Sequence, residues 1–149
     1  MSEIVRIEKT HDDCEAVEES FETIRLAMTA EDRSRVRRKL TAPDGQEFAL
    51  ALPTGTRLWP GQVLYCLPER VYVVEAAPEK VIVIRPRDMR EAAAAGHLIG
   101  NMHRDVDLEG DGIAVLYDEV LEERLRRDDF VLERAERPFH GAAGAGHAH

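Results

Sequence analysis

The chain reads as an α+β protein in two parts, an all-β first half and a second half running strand, helix, strand, strand, helix, strand, with a short tail behind them. Three observations predict this. Short β-branched and apolar runs broken by Gly and Pro fill the first half, a helical apolar period emerges only after Pro78, and the last residues are almost all Gly, Ala and His. At 149 residues the chain suits two small domains, and domains below roughly 70 residues bury little apolar surface alone, which favours oligomerisation.

The first half reads as antiparallel β. Residues 21–28 alternate loosely, and Arg33 to Leu40 offers a basic strand. Pro43-Asp44-Gly45 is a turn signal leading into a strand from Phe48 to Leu52, whose Phe and Leu positions share one face, so the pair forms a hairpin. Thr54-Gly55-Thr56 and Trp59-Pro60-Gly61 punctuate the next stretch. Val63 to Leu67 and Val71 to Ala76 then supply two more strands around Pro68, closing a small all-β domain over residues 1–76.

The pattern changes at Pro78. Lys80 to Arg85 is a strand too apolar to have a wet face, so another layer must cover it. Asp88 to Ile99 is predicted as a helix with Met89, Ala92, Ala93, Gly96 and Ile99 facing inward, stopped by Gly100-Asn101. Val106 and Leu108 alternate with acids, and Gly110-Asp111-Gly112 turns the chain into Ile113 to Leu116 as a hairpin. Asp118 caps a second helix carrying Val120, Leu121 and Leu125 inward, and Phe130 to Leu132 supplies the last strand. This order is the ferredoxin-like split βαβ arrangement, predicted for residues 77–138, with a flexible His-containing tail at 139–149.

Composition excludes several functions. The balance of 20 basic against 29 acidic residues, net −9, disfavours nucleic acid and suits a protein that attracts cations. No apolar run approaches the roughly 20 residues of a membrane span. Cys14 and Cys66 form no CxxC pair and no apolar signal segment opens the chain, so a reduced, cytoplasmic setting is expected. There is no nucleophile elbow, phosphate loop or HExxH pattern, and a metal-dependent hydrolase would need a general base that nothing here supplies.

Metal binding is the chemistry the residues favour. His103 follows the predicted helix break, where an imidazole projects from a fixed backbone, although a lone histidine there is most often a surface or capping residue. His97, six residues earlier, falls on another face of the helix. His140, His147 and His149 belong to a Gly/Ala-rich segment unable to order itself, so its imidazoles could close over a metal held elsewhere. Neutral imidazole suits nickel, copper and zinc without selecting among them. One fixed histidine is a poor site, but two copies of His103 near a two-fold axis would share one ion between subunits. Asp118 and Glu119 could add oxygen ligands, though a solvated helix start explains both. The basic run Arg33 to Lys39 is either a solvated strand face or a charged docking surface.

The segments Pro43-Asp44-Gly45-Gln46-Glu47, Leu52-Pro53-Thr54-Gly55-Thr56, Pro60-Gly61-Gln62-Val63-Leu64, Ala76-Ala77-Pro78-Glu79, Ile99-Gly100-Asn101-Met102-His103 and the terminal His-x-His resemble, in order and spacing, the UreE family of urease accessory proteins. The resemblance implies a non-enzymatic nickel metallochaperone with a partner-binding N-terminal domain and a metal-binding domain that forms a homodimer. It implies His103 as the principal ligand, shared with its twin, with tail histidines adding capacity. Ni²⁺ would be the cargo, Zn²⁺ or Cu²⁺ competing for the same site, and the partners would be the accessory GTPase UreG and the urease apoprotein assembly complex. Family members often have Arg where Met102 stands, and some carry histidines at the positions of Tyr117 and Glu119, so the secondary site at Asp118 and Glu119 departs from that pattern. The alternative is a protein-binding adaptor of urease maturation with a weak or vestigial metal site.

Overall fold

Contacts divide the chain into two units, Met1–Ala76 and Ala77–His149, and the computed structural model describes residues 3–10, 22–108 and 112–141. The first unit contains β1 (Val5–Ile7), β2 (Glu22–Met28), α1 (Ala30–Ser34), β3 (Arg37–Thr41), β4 (Glu47–Ala51), β5 (Val63–Cys66) and β6 (Arg70–Ala76). They form two three-stranded sheets, ordered β1-β4-β3 and β2-β6-β5. The β3–β4 and β5–β6 pairs are antiparallel, but β1 pairs with β4 and β2 with β6 in parallel. A wholly antiparallel half is therefore corrected: only strands joined by a tight turn are obliged to run antiparallel, and these two pairs are distant in sequence.

Period-two alternation sets the core of this unit. Ile24, Leu26 and Met28 of β2, Phe48 and Leu50 of β4, and Tyr72 and Val74 of β6 are buried in one cluster. The Phe48 and Tyr72 rings meet edge to face with centroids 4.9 Å apart, the arrangement favoured by the ring quadrupole. Asp44, in the β3–β4 turn, accepts from the Tyr72 hydroxyl at 2.6 Å and from Arg70 at 2.7 Å, tying a turn of one sheet to a strand of the other.

Two details depart from expectation. Arg33 lies in α1 and not in a strand, because Thr29 and Asp32 form a reciprocal capping box that starts a helical turn there. Its guanidinium is buried, with Nη1 donating to the Met28 carbonyl at 2.7 Å, so the basic strand begins at Arg37. Cys66 is disulfide-bonded, not the reduced thiol expected, and Cys14 lies outside the described residues.

The second unit contains β7 (Pro78–Ile84), α2 (Met89–Asn101), β8 (Ile113–Leu116), α3 (Glu119–Arg127) and β9 (Leu132–Pro138). The sheet is ordered β8-β7-β9 with both pairs antiparallel. A single antiparallel bridge, Asp107 to Ala114, stands where the strand through Val106 and Leu108 was expected. The split βαβ order is thus kept, with its second strand reduced to one residue pair. Here Asp107 is buried and Leu108 is exposed, the reverse of the alternation, because the Asp107 carboxylate has polar partners inside.

Ile82 and Ile84 of β7, Ile113 and Val115 of β8, Ala95 and Ile99 of α2, and Leu121 and Leu125 of α3 make the core. The inward face of α2 is displaced from the expected one: Ala95, Ile99 and the flanking Leu98 and Met102 pack inward, whereas Met89, Ala93 and Gly96 are exposed. Val120 likewise faces out. Strand β9 starts later and is longer than expected. Its charged sequence hides it, yet the register sets Glu79 opposite Arg137 and Lys80 opposite Glu136, favourable cross-strand pairs. Gly112 is required where the chain enters β8, since a Cβ there would meet the Ile84 carbonyl oxygen at 2.5 Å. Among the described residues no helix is long and apolar enough to cross a membrane.

Candidate metal centre

Helix α2 is capped by Asp88, whose side chain accepts from the Glu91 N–H at 2.7 Å, and its last turn is held by the packing of Ile99 and Met102 on the core. The helix continues through Gly100 and Asn101, so these do not stop it; glycine tolerates a left-handed backbone but does not impose one. The left-handed residue is His103, with φ 56°. Its N–H donates to the Gly100 carbonyl at 3.0 Å and the Arg104 N–H donates to the Ile99 carbonyl at 3.2 Å, the two bonds of a Schellman cap with His103 in the position usually held by glycine.

Histidine is among the few other residues enriched in that conformation, and its occupancy still costs roughly 1–2 kcal/mol relative to glycine. A strained backbone carrying a ligand-type side chain, exposed on the surface, is the kind of outlier that points to function. The same cap closes α3, with Asp129 at φ 65°, but there the next residue is Phe130, packed against the core. After His103 the next residue is Arg104, which pairs with Asp118 at 2.8 Å.

That pair defines the chemistry open to Asp118. One carboxylate oxygen caps α3 by accepting from the Leu121 N–H at 2.9 Å and the other accepts from Arg104. Glu119 is exposed in the first turn. Tyr117 lies under the Arg134 guanidinium, 5.3 Å from its ring centroid, and Arg134 in turn pairs with buried Glu122 at 2.6 Å. The hydrogen bond from Arg134 outweighs desolvation and holds the Glu122 carboxyl below its ordinary range.

His140 follows β9 and is part of the folded unit, not of a flexible tail. Phe139 and Gly141 are buried on either side of it, its N–H donates to Asp107 at 3.0 Å, and its Nδ1 stands 3.3 Å from the same carboxylate oxygen. The expected tail from residue 139 is corrected accordingly: burial of Phe139 orders the chain that far. His147 and His149 lie outside the described residues. His97 is exposed, its Nε2 3.1 Å from the Asn101 amide nitrogen. Among the described residues no three His, Cys, Asp or Glu side chains gather as a complete metal site.

Sequence reasoning missed Asp107 and Arg104. An acid alternating with apolar residues reads as solvent-facing, and the partners that bury Asp107 come from the other end of the unit. For Arg104, the carboxylate that fixes it is fourteen residues away.

Comparison with known proteins divides the chain at the same place. The family described as UreE urease accessory protein, N-terminal domain, matches residues 5–77, and the UreE urease accessory protein, C-terminal domain, matches residues 79–149. A urease accessory protein UreE of Synechococcus sp. (strain JA-3-3Ab) is 50% identical over 135 residues, covering 91% of each chain. One of Deinococcus radiodurans is 47% identical over 118 residues, 79% of this chain and 76% of the relative.

Proposed function

The chain belongs to the UreE family of urease accessory proteins, accessory chaperones and not enzymes, and on that premise we propose that it is a carrier that binds Ni²⁺ and delivers it to the urease active site during maturation. The observation that carries this reading is His103 in its strained cap: the fold spends backbone energy to hold an imidazole at the exposed end of α2. The cargo would be held by His103 of two subunits, with His140, His147 and His149 adding capacity.

The outer face of α2 supports a shared site. Met89 is 88% exposed, and Ala93, Gly96 and Gly100 continue from it at helical spacing toward His103. Among the described residues, nothing beyond the adjacent residues and the helix's own backbone lies within 4 Å of a Cβ placed on Gly96 or Gly100, so a second α2 could approach closely along this stripe. With the two-fold axis at the C-terminal end of this stripe, pairing would bring two His103 side chains together. Partners downstream would be the accessory GTPase UreG and the urease apoprotein complex.

Equilibrium dialysis of the intact protein against Ni²⁺ tests the reading. One tight nickel per two chains is expected, lost in His103→Ala. Since protons compete with metal for imidazole, affinity should drop steeply on acidification through roughly pH 7 to 5. Undiminished tight binding by His103→Ala would sink the assignment.

A second reading, an adaptor with a weak metal site, is favoured by a groove of about 640 Å³ in the first unit. It lies between β2 and β3, each at one edge of its sheet, and Arg25, Arg38 and Lys39 stand along it beside Leu40 and Phe48. Tight nickel binding with the stoichiometry above would decide against it.

A further inference from the structure

We propose that Asp107 is a positioning residue for His140, holding the imidazole proton on Nδ1 so that Nε2 is the nitrogen offered to a divalent transition-metal ion. The inference rests on the reading of His140 as a nickel ligand and gives that ligand a mechanism the tail histidines lack.

The geometry comes from the sheet. Asp107 exchanges two backbone hydrogen bonds with Ala114 of β8, at 2.8 and 2.9 Å, which turns its side chain inward until only 2% of it is exposed. One oxygen, Oδ2, receives both the backbone N–H and the Nδ1 of His140. Two donors from one residue meeting one oxygen fix the rotation of the side chain as well as its position. Oδ2 is an acceptor here, since it already takes the His140 backbone N–H, so the Nδ1 facing the same oxygen is the nitrogen that carries the proton, and the ring's lone pair is left on Nε2.

The imidazole itself is 32% exposed, so it remains reachable from solvent while its partner is sealed. Buried Phe139 and Gly141, the latter at φ 72°, hold the backbone on both sides. A metal would then meet an imidazole whose tautomer and orientation are set beforehand. Carboxylates behind ligand histidines act in this way, raising ligand basicity and sparing the ordering cost of binding.

The test begins with the full-length, metal-free protein carrying ¹⁵N-labelled histidine. Long-range ¹H–¹⁵N correlation above the ordinary imidazole titration range should show His140 as the Nδ1–H tautomer. Asp107→Ala should move it toward the Nε2–H form that an unrestrained imidazole prefers, and Asp107→Asn, which keeps an acceptor without the charge, should fall between. A wild-type His140 protonated on Nε2, or a tautomer that ignores Asp107→Ala, overturns the proposal, and the first of these needs no variant to fold. Titration with NiCl2 supplies the second arm: Asp107→Ala should weaken the His140-dependent binding roughly 10–100-fold, and should cause no further loss in a chain that already carries His140→Ala. If the tautomer answers as expected while His140→Ala leaves nickel binding intact, the positioning stands and the ligand role of His140 falls.

Discussion

Arg104 donates to Asp118 at 2.8 Å, and through that one contact the end of α2 and the start of α3 are tied together. Asp118 is then a structural residue twice over, capping α3 with one oxygen and restraining the residue after His103 with the other.

Asp118→Ala should therefore lower stability. Loss of a helix N-cap costs about 0.5–2 kcal/mol, and the partly exposed ion pair adds up to about 1 kcal/mol. Urea unfolding should show the midpoint falling at unchanged slope. A secondary metal role for Asp118 and Glu119 would also lower total nickel capacity in this variant, and an unchanged capacity would remove that role.

His103 should separate stability from function. In the left-handed cap, His103→Gly should be about 1 kcal/mol more stable than His103→Ala, since only glycine avoids the Cβ clash. Both should lose the tight nickel site. Equal stability of the two variants in thermal unfolding would mean the φ of 56° carries no strain.

Gly96→Glu tests the exposed stripe of α2. The open space around Gly96 admits the side chain, and replacing a mid-helix glycine stabilises the helix by up to about 1 kcal/mol. A charge on the stripe should nonetheless prevent pairing, so light scattering should report a dimer for the native chain and a monomer for the variant, with weaker nickel binding.

Asp44 sets an acid limit on the first unit. Burial alone would raise its carboxyl, but hydrogen bonds from Tyr72, the Gln46 N–H and Arg70 outweigh that and hold it below the ordinary 3.8. A carboxyl depressed in the folded state stabilises it above the unfolded value, and this stabilisation is lost as pH falls through the folded value. Asp44→Asn should unfold more easily at neutral pH and lose less of its stability on acidification below about pH 4; parallel acid profiles for the two proteins would falsify the linkage.

Much of the fold was legible because local signals and tertiary packing agreed. The Pro43-Asp44-Gly45 turn, the alternation through Phe48 and Leu50, the apolar run of β7 and the Asp118 cap each depend on residues within a few positions of one another. The face of α2 was not legible: Ala92, Ala93, Ala95 and Gly96 are similarly small, so the apolar period is nearly degenerate, and the bulk of Ile99 and Met102 against the sheet decides which side goes in.

By itself the sequence determined the two-part architecture, the strand and helix order of the second half, and His103 as the residue to watch, since these follow from periodicity, turn chemistry and residue type. Only the tertiary structure decided that β1 and β2 pair in parallel with distant strands, that Arg33 is buried, that His103 itself takes the left-handed cap, and that Asp107 holds His140. Each of these depends on groups far apart in the chain meeting at hydrogen-bonding or packing distance, and no local pattern encodes which distant partner will satisfy a buried charge or close a helix end.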